Sequence, residues 1–155
     1  KRPTAPLAAA PELLWECVKK TSSFIRTPGR PFRHEGAKRR WSAEAQNLLA
    51  FHSLPFSGLV AREALDVRAV RSGDKESIQL SQSHAKASRR SRPSSSAVAV
   101  GLSKCPRKGL RQLDREVDAK FYRKDLHELA RRKYLKVQQS FKKKKRSVRS
   151  RRSKS

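Results

Sequence analysis

The chain has 155 residues, with 39 Lys or Arg against 13 Asp or Glu, so its formal net charge is +26. Charged residues make up 34% of the sequence and the apolar types AVILMFWYC only 35%, which predicts a small core that a polyanionic partner stabilises. The sequence excludes a membrane-spanning helix, because its one substantial apolar run, residues 95–102, is far too short to cross a bilayer.

The positive charge is concentrated in the second half of the chain. Residues 1–83 carry 14 basic and 8 acidic residues, a net charge of +6, whereas residues 84–155 carry 25 and 5, a net charge of +20. The first half is therefore compatible with a modest folded domain. The second half predicts an arm that binds anions.

A short helix and a strand are predicted near the N-terminus. An Ala/Pro-rich lead of residues 1–10 precedes Pro11, which suits the first turn of a helix. Leu14 and Val18 then fall on one face of about two helical turns. Residues 22–26 follow and are predicted to form a strand.

The middle of the chain predicts a loop followed by a β-hairpin. Residues 27–41 combine two Pro and two Gly with basic residues, as is typical of an irregular loop. Residues 42–54 are weakly helical, and residues 55–61 are predicted to be extended. Strict alternation of apolar and polar residues then predicts a hairpin whose strands are residues 64–71 and 76–82.

Two amphipathic helices are predicted after a Ser/Arg-rich segment. Residues 83–96 have almost nothing to bury, which predicts a linker without structure of its own, and residues 97–102 are compatible with a strand or a helix. Asp125 is expected to cap the second helix. The apolar stripes of the two helices are Leu110, Leu113, Val117 and Phe121, and Leu126, Ala130, Tyr134, Val137 and Phe141.

These elements predict an α+β fold, in which a small antiparallel sheet with a short N-terminal helix is followed by two basic helices and an extended basic tail. The predicted division of the chain has five parts. They are an N-terminal extension (1–10), a small α+β globular domain (11–83), a Ser/Arg-rich linker or insertion (84–108), a two-helix basic arm (109–141) and a disordered basic tail (142–155).

The basic tail leaves the identity of its polyanion open. Residues 142–155 contain nine Lys or Arg and no acidic residue. Phosphate neutralisation is independent of sequence, so RNA, DNA and an acidic membrane are all compatible with it, and residues 142–146 are also typical of a nuclear import signal. A membrane is disfavoured because the tail lacks Trp, Phe and Leu. RNA is favoured because Arg is abundant and basic residues are spread along the chain.

The candidate RNA-binding residues are the basic side chains of these segments and one tryptophan. Three of them on the last helix lie off its apolar stripe, where they form a solvated face or contact phosphate. The candidates are Lys38, Arg39, Arg40, Trp41, Arg89, Arg90, Arg92, Arg107, Lys108, Arg111, Arg123, Lys124, Arg131, Arg132, Lys136, Lys142, Lys143, Lys144, Lys145, Arg146, Arg149, Arg151 and Arg152.

The aromatic residues divide between core and surface roles. Trp15 and Phe24 are expected in the core, although Trp15 is also compatible with stacking on a base, and Cys17 is expected to be a small buried residue. Trp41 directly follows three basic residues, so it either packs within the protein or stacks on RNA.

No catalytic, metal-binding or cofactor-binding pattern is present in the sequence. Cys17 and Cys105 form neither a C-x-x-C pair nor a disulfide framework. The four histidines have no metal-ligand spacing, and the sequence contains neither a P-loop nor G-x-G-x-x-G. We therefore expect no enzymatic activity, no metal, no cofactor and no small-molecule substrate.

Three blocks of sequence resemble one known family. Residues 13–26, "LLWECVKKTSSFIR", place a Trp-bearing helix just before Ser-Ser-Phe. Asn47 and residues 53–67, "SLPFSGLVAREALDV", form the second block, and residues 109–137 form the third, with Tyr122 at the joint between two helices. In this order and spacing the blocks are similar to the eukaryote-specific large-subunit ribosomal protein family that is number twenty-eight in the standard series.

The resemblance implies a structural constituent of the cytosolic large ribosomal subunit. Such a protein binds rRNA and neighbouring ribosomal proteins, has no enzymatic activity, and reaches the cytoplasm after assembly in the nucleolus. Residues 27–46 and 84–108 depart from the family's pattern. The alternative is a nucleolar ribosome-assembly factor or a chromatin-associated nucleic-acid-binding protein, although the related assembly factor continues into a long acidic extension that this sequence lacks.

Overall fold

The computed structural model describes residues 9–26, 40–73 and 75–141 and has an α+β architecture. The helices are α1 (Pro11–Val18), α2 (Ala87–Arg90), α3 (Pro106–Val117) and α4 (His127–Phe141), with 3-10 turns at Leu54–Phe56 and Lys124–Leu126. The strands are β1 (Ile25–Arg26), β2 (Trp41–Ser42), β3 (Leu65–Ser72), β4 (Lys75–Ser83) and β5 (Ala97–Leu102). The predicted fold class is confirmed, with a short N-terminal helix, small antiparallel sheets and C-terminal helices. Among the described residues, no helix has both the length and the apolar character that crossing a bilayer requires.

The strands form two separate antiparallel sheets. In the smaller one β1 pairs with β2, and Arg26 lies opposite Trp41. In the larger one β4 lies between β3 and β5. The predicted hairpin is confirmed, since β3 and β4 pair from Leu65 opposite Gln82 to the turn.

Helices α3 and α4 share a hydrophobic core with the larger sheet. Val67 and Leu80 lie opposite each other on β3 and β4, and both are fully buried. Leu113 of α3 and Tyr134 of α4 are fully buried too and belong to the same cluster. Burying each aliphatic side chain of this size contributes about 1.5–3 kcal/mol. The two helices therefore owe their position to the same core as the sheet.

Gly109 allows α3 and α4 to approach closely. A Cβ atom at this position would overlap the hydroxyl of Tyr134 and the carbonyl oxygen of Ser103. The Tyr134 hydroxyl donates a hydrogen bond of 2.6 Å to that carbonyl, and burial raises the pKa of the phenol. Tyr134 thus links α4 to the segment that leads into α3.

The segment 84–108 contains regular structure, in contrast to the predicted linker. It includes α2, and β5 pairs with β4 along Ala97–Leu102. Hydrogen bonds order the rest of it: the His84 N–H donates to the Ser96 carbonyl at 2.9 Å, and Arg90 Nη1 donates to the Arg62 carbonyl at 2.6 Å. The expectation that residues 83–96 have no structure of their own is wrong, because backbone partners and not apolar burial hold them. The domain boundaries stay a prediction.

Residues 43–64 are irregular, so the prediction of a weak helix followed by an extended segment is wrong. Gln46 and Ala50 have φ angles of 63° and 56°, in the left-handed region. Two isolated bridges, Trp41 with Phe51 and Asn47 with Leu65, connect the stretch to strands. Leu48 joins the main core whereas Phe51 stacks on Trp41, so the apolar residues of this stretch do not share one helical face.

Buried polar side chains hold this irregular stretch. Glu44 Oε2 accepts hydrogen bonds from Ser57 Oγ at 2.7 Å and from the Gly58 N–H at 3.1 Å. Gly58 has no room for a side chain, because a Cβ atom would overlap the Ala45 carbonyl oxygen. The carboxylate of Glu44 thus replaces the backbone partners that a helix or a sheet would supply.

Several residues predicted to be buried are exposed. Cys17 is exposed, Phe24 is 40% exposed and Phe121 is 76% exposed. Helix α1 buries none of its residues, and α3 ends at Val117, so its apolar periodicity does not extend to residue 121. The expectations for Cys17 and Phe121 are wrong because each assumed a helix packed along its whole apolar face, and the expectation for Phe24 is wrong because the strand there is only Ile25–Arg26. Trp15 is half-buried, with its ring centroid 4.8 Å from that of His52.

Candidate nucleic-acid interface

Helix α4 has a basic face opposite its apolar stripe. The stripe is confirmed: Leu126, Ala130 and Tyr134 are buried, and Val137 and Phe141 pack against the core. The predicted RNA contacts on this helix, Arg131, Arg132 and Lys136, are all exposed.

The charges on the outer face of α4 are only loosely paired. Arg131 Nε lies 3.8 Å from Asp114 Oδ1, and Arg132 Nη2 lies 3.4 Å from Glu128 Oε2. Exposed pairs of this kind contribute about 0–1 kcal/mol. A phosphate could therefore replace either carboxylate at small cost.

Lys133 lies within the apolar stripe of α4, and it is paired internally. Its Nζ lies 2.5 Å from Asp66 Oδ1 on β3, and both side chains are largely shielded from solvent. This ion pair links the helix to the sheet. In such a pair the aliphatic part of the lysine side chain can pack along apolar surface while its ammonium group reaches the carboxylate.

The start of α3 forms a second basic cluster. Arg107, Lys108 and Arg111 are exposed, and with Cys105 they line an open cavity of about 300 Å³. Cys105 is the N-cap residue and makes no capping hydrogen bond with its side chain. The positive end of the helix dipole adds to the three cationic side chains, so this end of α3 is electrostatically suited to phosphate.

Arg123 is committed to contacts within the chain. Its guanidinium donates hydrogen bonds of 2.8 Å to the Asp125 carboxylate, the Glu63 carbonyl and the Pro55 carbonyl, and its side chain is only 16% exposed. Asp125 lies in the 3-10 turn Lys124–Leu126 and does not cap α4. Its carboxylate accepts hydrogen bonds from Arg123 Nε and Nη2, and these bonds lower the pKa of Asp125. Arg123 therefore joins the irregular stretch to the helices. Lys124 next to it is exposed, with its ammonium 4.1 Å from the centre of the Phe121 ring.

The segment around α2 borders a cleft lined by three arginines. Arg90, together with Arg62 and Arg68, lines two adjoining cavities of about 330 and 430 Å³. Arg89 Nη1 lies 3.3 Å from the His84 ring, and Arg92 is exposed. Sequence reasoning missed Arg62 and Arg68. The alternation of β3 could have placed Arg68 on the polar face of the sheet, but Arg62 lies in an irregular stretch that carries no such signal.

An aromatic cluster lies beside the smaller sheet. Trp41 is 40% exposed, and its ring stacks on that of Phe51 with centroids 4.7 Å apart and an interplanar angle of 14°. Arg40 precedes it and is exposed. The remaining predicted contacts lie outside the described residues; they are Lys38, Arg39, Lys142, Lys143, Lys144, Lys145, Arg146, Arg149, Arg151 and Arg152.

One histidine and two aspartates that sequence spacing did not single out come together between α3 and α4. His127 Nε2 lies 2.7 Å from Asp114 Oδ1 and 3.6 Å from Asp118 Oδ2. These three groups could hold a cation. The Asp114 carboxylate already contacts both His127 and Arg131, and we interpret the cluster as a polar link between the two helices.

Comparison with known proteins adds to this geometry. The sequence profile of the Ribosomal L28e protein family matches residues 13–151. The chain is also 31% identical over 101 residues to the large ribosomal subunit protein eL28 of Caenorhabditis elegans, an alignment that covers 65% of this chain and 69% of that protein. The matched residues include most of α1 and all of both sheets, α3 and α4.

Proposed function

The chain belongs to the ribosomal L28e protein family, and we propose that it is a structural constituent of the cytosolic large ribosomal subunit. The resemblance noted in three blocks of its sequence is confirmed by this membership. Apart from family membership, the proposal is supported by the net charge of +26 and by the exposure of the basic side chains on α3 and α4.

We propose that these helices bind rRNA by neutralising its phosphates. Each helix uses its apolar stripe to pack on the sheet, so its outward face is available to a partner. On that face lie Arg107, Lys108 and Arg111 of α3 and Arg131, Arg132 and Lys136 of α4. Guanidinium groups pair bidentately with phosphate and hold it in a defined geometry. The tail, with nine further basic residues, would extend the same contact to more distant RNA.

Not every basic residue takes part in the proposed contact. Arg123 and Lys133 are held by carboxylates and carbonyls of the same chain, and releasing Lys133 would leave the largely shielded Asp66 carboxylate without its partner. We assign both to the stability of the fold. The proposed role is architectural and not enzymatic, with rRNA and neighbouring ribosomal proteins as partners, and assembly requires passage through the nucleolus.

Salt dependence of RNA binding tests the electrostatic mechanism. If about ten phosphates are neutralised, the logarithm of the association constant should fall with the logarithm of salt concentration with a slope of about −7 to −9. Replacing Arg107, Lys108 and Arg111 by Gln should make the slope less steep by about 2 to 3 units. A filter-binding titration of the full chain with an rRNA fragment measures both. A slope near zero for the unaltered protein would contradict the mechanism.

Two control variants separate local contacts from net charge. Arg71→Gln with Lys75→Gln removes two exposed charges at the tip of the β3–β4 hairpin that are not among the candidate contacts, and it should change the slope less per charge. Arg123→Gln should lower stability and leave the slope almost unchanged. If all three sets alter the slope equally per charge, binding depends on total charge and the proposed interface is wrong.

Sedimentation separates the ribosomal role from the alternatives. A constituent should remain with cytoplasmic large subunits, at one copy each, through a moderate-salt wash on a sucrose gradient. An assembly factor would sediment only with nuclear precursors, and a chromatin-associated protein would sediment with neither. Either of these two results would overturn the proposed function.

A further inference from the structure

We propose that Trp41 is a stacking platform for an unpaired base of the bound RNA. This inference rests on the proposed function, and it adds a contact to a base where that function invokes only phosphates. The platform consists of Trp41, Phe51 and Phe56, flanked by Arg26 and Arg40.

The Trp41 ring is held in place from one side. Phe51 pairs with Trp41 across an antiparallel bridge, and their rings lie nearly parallel with centroids 4.7 Å apart. Phe56 supports Phe51 in turn, with ring centroids 6.5 Å apart. A ring fixed in this way loses little further conformational entropy when a base stacks on it.

A cationic residue lies next to Trp41 on the neighbouring strand. Arg26 lies opposite Trp41 in the smaller sheet, so Phe51, Trp41 and Arg26 form one row across neighbouring strands, with side chains on the same face. Arg26 is exposed. Among the described residues, the cation–π contacts involve the rings of Phe121 and Phe141 and not Trp41. Trp41 is 40% exposed, so part of its indole is accessible to a partner.

The surrounding charge favours a nucleotide over an apolar side chain of a protein. Arg40 precedes Trp41, and within the described part of the chain its side chain makes one long contact, 3.5 Å from Nη1 to the Lys19 carbonyl. An apolar partner would have to desolvate both guanidinium groups without compensation. An unpaired nucleotide satisfies the whole site, because its base stacks on the indole while its phosphates accept from Arg26 and Arg40.

Fluorescence can test the stacking directly, because the chain contains two tryptophans, Trp15 and Trp41. In Trp15→Phe the emission comes from Trp41 alone. We expect single-stranded oligoribonucleotide to quench this emission strongly, and duplex RNA and inorganic polyphosphate to quench it much less at equal saturation. In the matched variant Trp41→Phe, where only the half-buried Trp15 emits, the three ligands should have similar small effects.

Affinity provides a second, independent measurement. Trp41→Ala should weaken binding of the full chain to the single-stranded oligoribonucleotide by about 5- to 150-fold, with an unchanged salt slope, whereas Trp41→Phe should retain most of the affinity. Equal quenching of Trp41 by polyphosphate and by single-stranded RNA would overturn the platform, as would unaltered affinity in a folded Trp41→Ala protein. Should Trp41→Ala fail to fold, the quenching test still decides, because it leaves Trp41 in place. A steep salt slope combined with either negative result would reject the platform and leave the phosphate mechanism intact.

Discussion

Two adjoining regions of this protein are held together by different chemistry. Residues 65–141 form regular strands and helices around a hydrophobic core, and their backbone groups largely satisfy one another. Residues 43–64 have little regular structure, and side chains such as Glu44 take the place of backbone partners. Apolar periodicity in the sequence therefore predicts the structure of the first region only. In the second region the contacts are individual polar ones, which follow no repeating pattern.

The largest expected effect lies in the apolar region. Leu113→Ala removes a fully buried side chain between α3 and the sheet and should lower the free energy of unfolding by about 2–5 kcal/mol. The matched control is Leu135→Ala, which makes the same change at a position on α4 that is 37% exposed and should cost less than about 1 kcal/mol. Urea unfolding of the purified chain measures both. If both variants lost the same free energy of unfolding, the burial of Leu113 would not be what stabilises the fold at that position.

The polar region should be sensitive to the loss of one carboxylate. Glu44→Ala leaves the Ser57 hydroxyl and the Gly58 N–H without their acceptor and should cost about 1–3 kcal/mol. Glu63→Ala, an exposed glutamate at the end of the same stretch, should change stability by less than about 0.5 kcal/mol. A neutral result for Glu44→Ala would show that the irregular stretch does not depend on this side chain.

The smallest expected effect concerns Tyr122, which joins the two regions. Its hydroxyl donates to the Ala64 carbonyl at 2.9 Å and accepts from the Ser83 N–H at 3.1 Å. Tyr122→Phe should cost about 0.5–1.5 kcal/mol at neutral pH. Tyr134→Phe provides the comparison inside the regular region, where the lost bond goes to Ser103.

The same tyrosine predicts a dependence on alkaline pH. Burial raises the pKa of Tyr122 above its ordinary value of 10.0, so its stabilising effect is complete below pH 10 and is lost as the pH rises through the folded-state pKa. The stability advantage of the unaltered protein over Tyr122→Phe should therefore shrink above pH 10. Thermal unfolding of both proteins between pH 8 and about 11 measures this, and an advantage that grows with pH would show that the sign is wrong.

The elements predicted correctly from the sequence are those that depend on residues close together along the chain. The β3–β4 hairpin follows from alternation across one turn, and the apolar stripe of α4 follows from a single helical period. Strand β5 was ambiguous, because six residues carry too little periodicity and its pairing depends on β4. The exposure of Phe121 does not follow from the sequence pattern because α3 ends at Val117, before the apolar periodicity does, and that of Phe24 because β1 begins only at Ile25.

The candidate interface was predictable in composition and not in detail. Sequence identifies every Lys and Arg, but it does not show which of them are used internally. Arg123 and Lys133 contact groups more than fifty residues away, the Glu63 and Pro55 carbonyls and the Asp66 carboxylate. The sequence alone is compatible with packing or stacking for Trp41, because its neighbours Phe51 and Arg26 lie on other segments of the chain.

The outward basic face of α4 has a consequence for the isolated protein. Its like charges repel one another when no nucleic acid is present, and dissolved ions screen that repulsion. Added electrolyte should then make the unbound chain harder to unfold, while it weakens attachment to a phosphate backbone through the same side chains. Folding and assembly respond to ionic strength in opposite directions, which favours handling the purified protein in concentrated salt until its polyanion is supplied.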